Sequence, residues 1–249
     1  MSDNTKLYDM AALAEASYVF FDKLKDYSDE SVADALQISE LEGKFSATQA
    51  DDFVSHWQVV SHLPNTSSGF SATLFKNKQT GEYVFAVRGT EATSFIKDWG
   101  LTDFADIVRD GVALDEIVDM YNYWQQLNSP KTPYKVAVLE TDKALTAACY
   151  AAKMAGPVAY LDYTKYLHSR TDVVIDEPLG KVRKIDLTKY STDIYKDERC
   201  YGLDLNPASV TVVGHSMGVH LAAVFSRLFP GAADNYESAY ERRLAVCSH

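Results

Sequence analysis

One stretch constrains this chain more than any other: Val210-Thr-Val-Val-Gly-His-Ser-Met-Gly-Val-His-Leu-Ala-Ala-Val-Phe225. Its β-branched start favours an extended strand. Leu221, Ala222, Phe225 and Leu228 then recur at helical spacing, the mark of an inward-facing helix side. Between the two, Gly214-His215-Ser216-Met217-Gly218 leaves almost no length for a connection. So sharp a turn needs positions without side chains to collide, which Gly214 and Gly218 supply. It also holds Ser216 in a strained backbone. The Ser216 hydroxyl is thereby lifted above the carboxyl edge of a sheet, with a helix N-terminus behind it that favours negative charge.

The chain has 249 residues, enough for a single large α/β domain spanning 1–249. Its apolar fraction of 47% and charged fraction of 24% are those of an ordinary soluble globular protein. A net charge of -11 argues against nucleic acid as a partner, because phosphate binding needs a basic surface. The same total gives no overall pull toward anionic lipid. Cys149, Cys200 and Cys247 lack metal spacing and read as free thiols, with a single bridge as the alternative. The first residues carry no apolar core of a cleavable signal peptide. The longest uncharged run, 208–226, is broken by glycines, histidines and hydroxyls, so no transmembrane segment is expected.

Along the chain, 6–24 carries Leu7, Met10, Leu13, Ala14 and Tyr18 on one face and reads as an amphipathic helix. A second helix is expected over 31–38. Thr48-Gln-Ala-Asp51 reads as the capping signal of a third that ends near Trp57. The period then changes to that of strands over 57–62, 69–75 and 82–87, joined by turn-rich links in an antiparallel meander. Helices follow over 114–127, with Ile117, Met120, Tyr121 and Trp124 inward, and over 141–155, stopped by Gly156-Pro157. Val173-Val-Ile175 and Val182 to Leu187 flank Glu177-Pro-Leu-Gly180 and read as a β-hairpin, an insertion at about 170–192.

The strand–turn–helix context of Gly214 to Gly218 matches the nucleophile elbow of the α/β-hydrolases. Acyl transfer builds negative charge on a carbonyl oxygen, which preorganised donors must meet. The Met217 backbone N–H, directly after Ser216, is one such donor. Thr90, just beyond the strand over 82–87, offers an N–H and a hydroxyl as a second. An ordinary strand-end threonine beside a structural Arg88 accounts for Arg88-Gly89-Thr90 as well.

Phe85-Ala-Val-Arg-Gly-Thr90, then Phe95-Ile-Lys-Asp-Trp99 and Asp103, then Gly214-His-Ser-Met-Gly218, together resemble the class 3 lipases, fungal-type triacylglycerol lipases and their bacterial relatives. Ala11-Ala-Leu-Ala-Glu-Ala-Ser-Tyr18, Asp110-Gly-Val-Ala113 with Tyr121-Asn-Tyr-Trp124, and Ser226-Arg-Leu-Phe-Pro230 are similar to the bacterial extracellular lipase and phospholipase A1 branch. The likeness covers most of 7–231. It implies an α/β-hydrolase fold of the lipase class 3 type, with Ser216 as nucleophile and Thr90 and Met217 as the oxyanion hole. It also implies a lid over 91–104 whose Phe95, Ile96, Trp99 and Leu101 meet a lipid interface. Plain core packing explains those four residues equally. The implied activity is hydrolysis of lipid esters, triacylglycerol or phospholipid, through an acyl-enzyme. No metal or organic cofactor is implied.

A serine hydroxyl needs a histidine to take its proton and a carboxylate to orient that histidine. In α/β-hydrolases both follow the serine, each after a further strand. Here the short remainder after the 217–228 helix reads as polar and helix-like, without a strand. Asp234 and His249 are weak candidates for acid and base. His215 and His220 read as structural, the second as buried, and His56, His62 and His168 precede the elbow and read as surface or satisfied side chains. Against the family the chain reads as C-terminally truncated. A second expectation follows: a degenerate lipase relative that binds lipid or a partner with little or no turnover. Either protein would be cytoplasmic, or secreted without a cleavable signal peptide.

Overall fold

The computed structural model describes residues 3–38, 44–89, 114–129, 133–170, 173–176, 181–191, 202–215, 217–229 and 236–238. Three helices come first. In α1 (Asp3–Ala16), Met10, Leu13 and Ala14 recur at helical spacing and are buried. The helix stops earlier than its apolar face suggests. Ser17 turns its hydroxyl back to the Ala14 carbonyl at 2.6 Å, and the bulky run Tyr18-Val19-Phe20 follows, poor material for a helix. Phe21–Lys23 then form a separate one-turn 3-10 helix. The chain continues with α2 (Asp29–Ile38) and α3 (Ala47–His56). The cap of α3 is Ser46, two residues before the expected Thr48. The Ser46 hydroxyl accepts from the Gln49 N–H at 3.3 Å, and the Gln49 side chain accepts from the Ser46 N–H at 3.0 Å.

The meander follows as expected, with β1 (Trp57–Leu63), β2 (Ala72–Asn77) and β3 (Tyr83–Val87) paired antiparallel in turn. After it comes α4 (Leu114–Asn128), which buries Met120, Tyr123, Trp124 and Leu127. Next is β4 (Tyr134–Thr141), which periodicity did not reveal. Two helices succeed it, α5 (Lys143–Ala155) and α6 (Pro157–His168). Gly156-Pro157 was expected to end a helix, and it also begins one. Proline has no N–H to lose at a first helical position, so it starts α6 without penalty.

The hairpin β5 (Val173–Asp176) and β6 (Lys181–Ser191) pairs as expected. Its setting is larger than an isolated hairpin. β6 also pairs antiparallel with β4, giving a three-stranded sheet in the order β4-β6-β5. Last come β7 (Val210–Gly214), α7 (Met217–Leu228) and the three-residue strand β8 (Tyr236–Ser238). The expectation of no strand after α7 is therefore corrected, since β8 pairs parallel with β7.

The main sheet runs β1-β2-β3-β7-β8, antiparallel on one side and parallel on the other. Helices cover both faces, so the architecture is α/β around a mixed sheet. On one face Val84, Ala86 and Val213 pack with α1, α2 and α3. On the other, Phe85, Val87 and Val212 pack with α4 and α7. Alternate residues of one strand point to opposite faces, so β3 and β7 must be apolar almost throughout. Phe85 is the hub of the second face, its ring against Trp124 at 5.8 Å and Phe225 at 5.4 Å. A buried hydroxyl pair, Ser61 with Tyr123 at 2.7 Å, ties α4 to β1.

Candidate functional site

β3 and β7 lie side by side, parallel and in register from Tyr83↔Val210 to Val87↔Gly214. The chain therefore leaves both strands at the same edge of the sheet. β1 is antiparallel to β2 and β2 to β3, so the end of β1 at Leu63 reaches that edge too. This is the carboxyl edge of the parallel pair, where open α/β sheets place their ligand sites. Ser216, Thr90, the 91–104 segment, Asp234 and His249 lie outside the described residues. Met217 lies within them, at the head of α7 and half-buried.

The turn between β7 and α7 is closed by two glycines for the same reason. A β-carbon on Gly214 would press into the Gly218 carbonyl and the Val219 nitrogen, both inside the 3.0 Å that such atoms keep. A β-carbon on Gly218 would strike the Val87 carbonyl oxygen at the end of β3. All of these obstacles are backbone, which cannot swing aside as a side chain can. Neither glycine has a positive φ, so close approach rather than backbone conformation demands them. The Gly218 N–H donates to the His215 carbonyl at 2.9 Å, which closes the first turn.

His215 meets Tyr18, two residues beyond the end of α1. Its Nδ1 is 3.0 Å from the Tyr18 hydroxyl, and the two rings meet edge to face at 5.8 Å. Tyr18 is buried and His215 half-buried, so the pair ties the turn to the N-terminal helix. The expected packing role of His215 thus has a named partner. The expected structural role of Arg88 has one as well: its N–H donates to the Ser71 carbonyl at 3.0 Å, and its buried guanidinium hydrogen-bonds the Asn65 side chain. Arg88 thereby joins the end of β3 to the β1–β2 connection.

The other histidines fall as follows. His62 is buried, with Nδ1 2.8 Å from the Thr73 hydroxyl and Nε2 3.6 Å from Asp22. That contact is the leading cause holding the Asp22 carboxyl below its ordinary range. His56 bonds its own helix and Ser55, and His168 is exposed. His220 is exposed on α7, which corrects its expected burial. Leu228 is likewise exposed at 41%, and Phe229 takes the inward position expected of it. The helix has turned far enough by then that the 3.6-residue period passes the inward side to the next residue.

Glu116 is the group that the sequence did not single out. Asp115-Glu116-Ile-Val-Asp119 looks like a solvated first turn of α4, rich in acid where the helix dipole favours it. Glu116 is nevertheless only 6% exposed. Its Oε1 lies 3.4 Å from where a Gly69 β-carbon would stand, in the β1–β2 connection at the carboxyl edge. Its Oε2 has no hydrogen-bond partner among the described residues. Burial, with Asp119 and Asp115 adding like charge, pushes its carboxyl up to about 7. Asp119 itself accepts from the Ser68 hydroxyl at 2.7 Å.

The edge so assembled joins two strand ends to the N-terminus of α7. Helix geometry leaves the first N–H groups of α7 without intrahelical partners, and the helix dipole places partial positive charge there. Such an end stabilises negative charge that develops beside it. Comparison with protein-family models, curated proteins and solved structures returned no match to this chain. Among the described residues no helix is long and apolar enough to cross a membrane.

Proposed function

We propose that the chain is a serine carboxylic-ester hydrolase acting on lipid esters, with Ser216 as nucleophile and the Met217 N–H and Thr90 as oxyanion donors. The proposal includes the fold, an α/β-hydrolase of the lipase class 3 type. The observation that carries it is the turn of Gly214 to Gly218. Both of its glycines are sterically obligatory, it joins a parallel strand to a helix, and it packs on the neighbouring strand end that leads to Thr90. Ser216 attacks the ester carbonyl, the alcohol leaves, and water releases the acid from the acyl-enzyme. The substrate class rests on the resemblance of Arg88-Gly89-Thr90 and Gly214 to Gly218 to the class 3 lipases.

A second reading, a relative that binds lipid or a partner without turnover, is favoured by the histidines. Among the described residues, His215 is engaged by Tyr18 and His220 faces solvent, so neither stands as a base. Hydrolysis of a chromogenic short-chain ester, measured with the wild type and Ser216→Ala, separates the two. Turnover abolished by the alanine supports the hydrolase. Turnover unchanged by it removes Ser216 from the chemistry, and no turnover in either leaves the binding reading.

A further inference from the structure

Half of the large apolar side chains that stand exposed among the described residues lie on one helical hairpin, α5–α6. Tyr150 is 65%, Met154 72%, Val158 75% and Leu161 54% exposed. Tyr150 and Met154 are one turn apart on α5, and Val158 and Leu161 one turn apart on α6. The inner faces of the two helices supply Cys149 and Leu167 to one cluster with Val173 and Val182 of the β5–β6 hairpin. Both helices therefore lie on the same side of the three-stranded sheet, and their outer faces look the same way. The corner between them is Gly156 alone, at φ 119, so Met154 and Val158 flank the tip.

The hairpin is also basic. Lys143, Lys153, Lys165 and Arg170 stand against Asp162 and against Asp142, whose carboxylate is engaged capping α5. The chain as a whole carries -11, so this local excess runs against its surroundings. Lys153 places its ammonium 5.8 Å from the Tyr160 ring centroid, which shows how such a stem lies along apolar surface. Apolar side chains with tyrosine among them, rimmed by lysine, fit a helix pair lying in a membrane interface.

We propose that the outer face of α5–α6 docks on an anionic phospholipid bilayer, with Tyr150, Met154, Val158 and Leu161 entering the interface and Lys143 and Lys153 meeting the head groups. Total charge gives no overall pull toward such a surface; the local distribution supplies one at this place. The docking does not depend on ester hydrolysis, and it is measured in parallel on Ser216→Ala.

The experiment is flotation with vesicles of phosphatidylcholine alone and of phosphatidylcholine with phosphatidylglycerol. The expected result is salt-sensitive co-flotation with the anionic vesicles. The triple variant Tyr150→Ser, Met154→Ser, Val158→Ser abolishes it. Lys143→Glu with Lys153→Glu lowers the bound fraction about tenfold or more. All five side chains are exposed, and circular dichroism of the variants checks that the fold is kept. Equal binding by the variants overturns the proposal, as does a wild type that floats with neither vesicle. A wild-type dimer that the triple variant converts to monomer, seen by light scattering, overturns it in favour of self-association.

Discussion

The Val87 carbonyl oxygen occupies the space that a β-carbon on Gly218 would need. One residue ends β3 and the other lies in the first turn of α7, so a strand end and a helix start share a single close contact. Gly218→Ala must push β3 and α7 apart or strain the turn. The expected cost is about 1–3 kcal/mol, as for overpacking of a tight site. Urea unfolding reads it directly, and a loss below a few tenths of a kcal/mol contradicts the contact.

Tyr18→Phe removes the hydroxyl that meets His215 and leaves the edge-to-face ring contact in place. The expected loss is about 1 kcal/mol, the net worth of an ordinary hydrogen bond. A double-mutant cycle with His215→Ala isolates the pair. Strictly additive losses would show that the Tyr18 hydroxyl does not interact with His215.

Glu116 makes the fold sensitive to pH in a stated direction. Its ordinary value is 4.5 and its folded value about 7. Below 4.5 both states hold the proton and the group contributes nothing to the pH dependence. Between 4.5 and about 7 the unfolded chain releases the proton while the folded chain keeps it, so stability falls as pH rises. Above about 7 the buried carboxylate must ionise and the loss is complete, roughly 3 kcal/mol across the window. Glu116→Gln is expected to flatten this part of the profile and to exceed the wild type in stability at pH 8. Parallel profiles for the two proteins would mean that Glu116 titrates as an exposed acid.

Phe85→Ala removes the ring shared by Tyr123, Trp124 and Phe225 on the second face of the sheet. A cavity under α4 and α7 is expected to cost about 3–5 kcal/mol. Thermal melting should show the loss as a lower midpoint, whereas a midpoint within a degree of the wild type contradicts the packing.

Ser46→Ala strips the α3 capping box of its side-chain acceptor for the Gln49 N–H. About 1 kcal/mol is expected. Thr48→Ala, the position that the sequence pattern favoured, should be nearly neutral. The reverse ranking in denaturant midpoints would restore the original reading of the cap.

Local pattern sufficed where one segment carries its own reason for its shape. The strand-like runs of β1 to β3 with their turn-rich links, the helical spacing in α4 and the glycine pair around Ser216 are short-range signals, and all correspond to elements of the fold. It failed where another part of the chain supplies the reason. β4 is a strand because β6 pairs with it, and β8 because β7 offers an open edge. The end of α1 was misjudged because its apolar face continues into a turn that packs without being helical.

The sequence by itself determined that a strand must turn into a helix at Gly214 to Gly218, since a β-branched run and a helically spaced apolar run are joined there by a few residues bounded by glycines. It also determined the near-continuous apolar runs that let β3 and β7 be buried on both faces. Only the tertiary structure decided that β3 and β7 are neighbours in register, which brings Arg88 and the turn to one edge. Only it buried Glu116, paired Tyr18 with His215 and turned the basic, apolar side of α5–α6 outward. Each of these depends on residues far apart in the chain. Burial and partnership are properties of the packed assembly, and no spacing within a single segment encodes them.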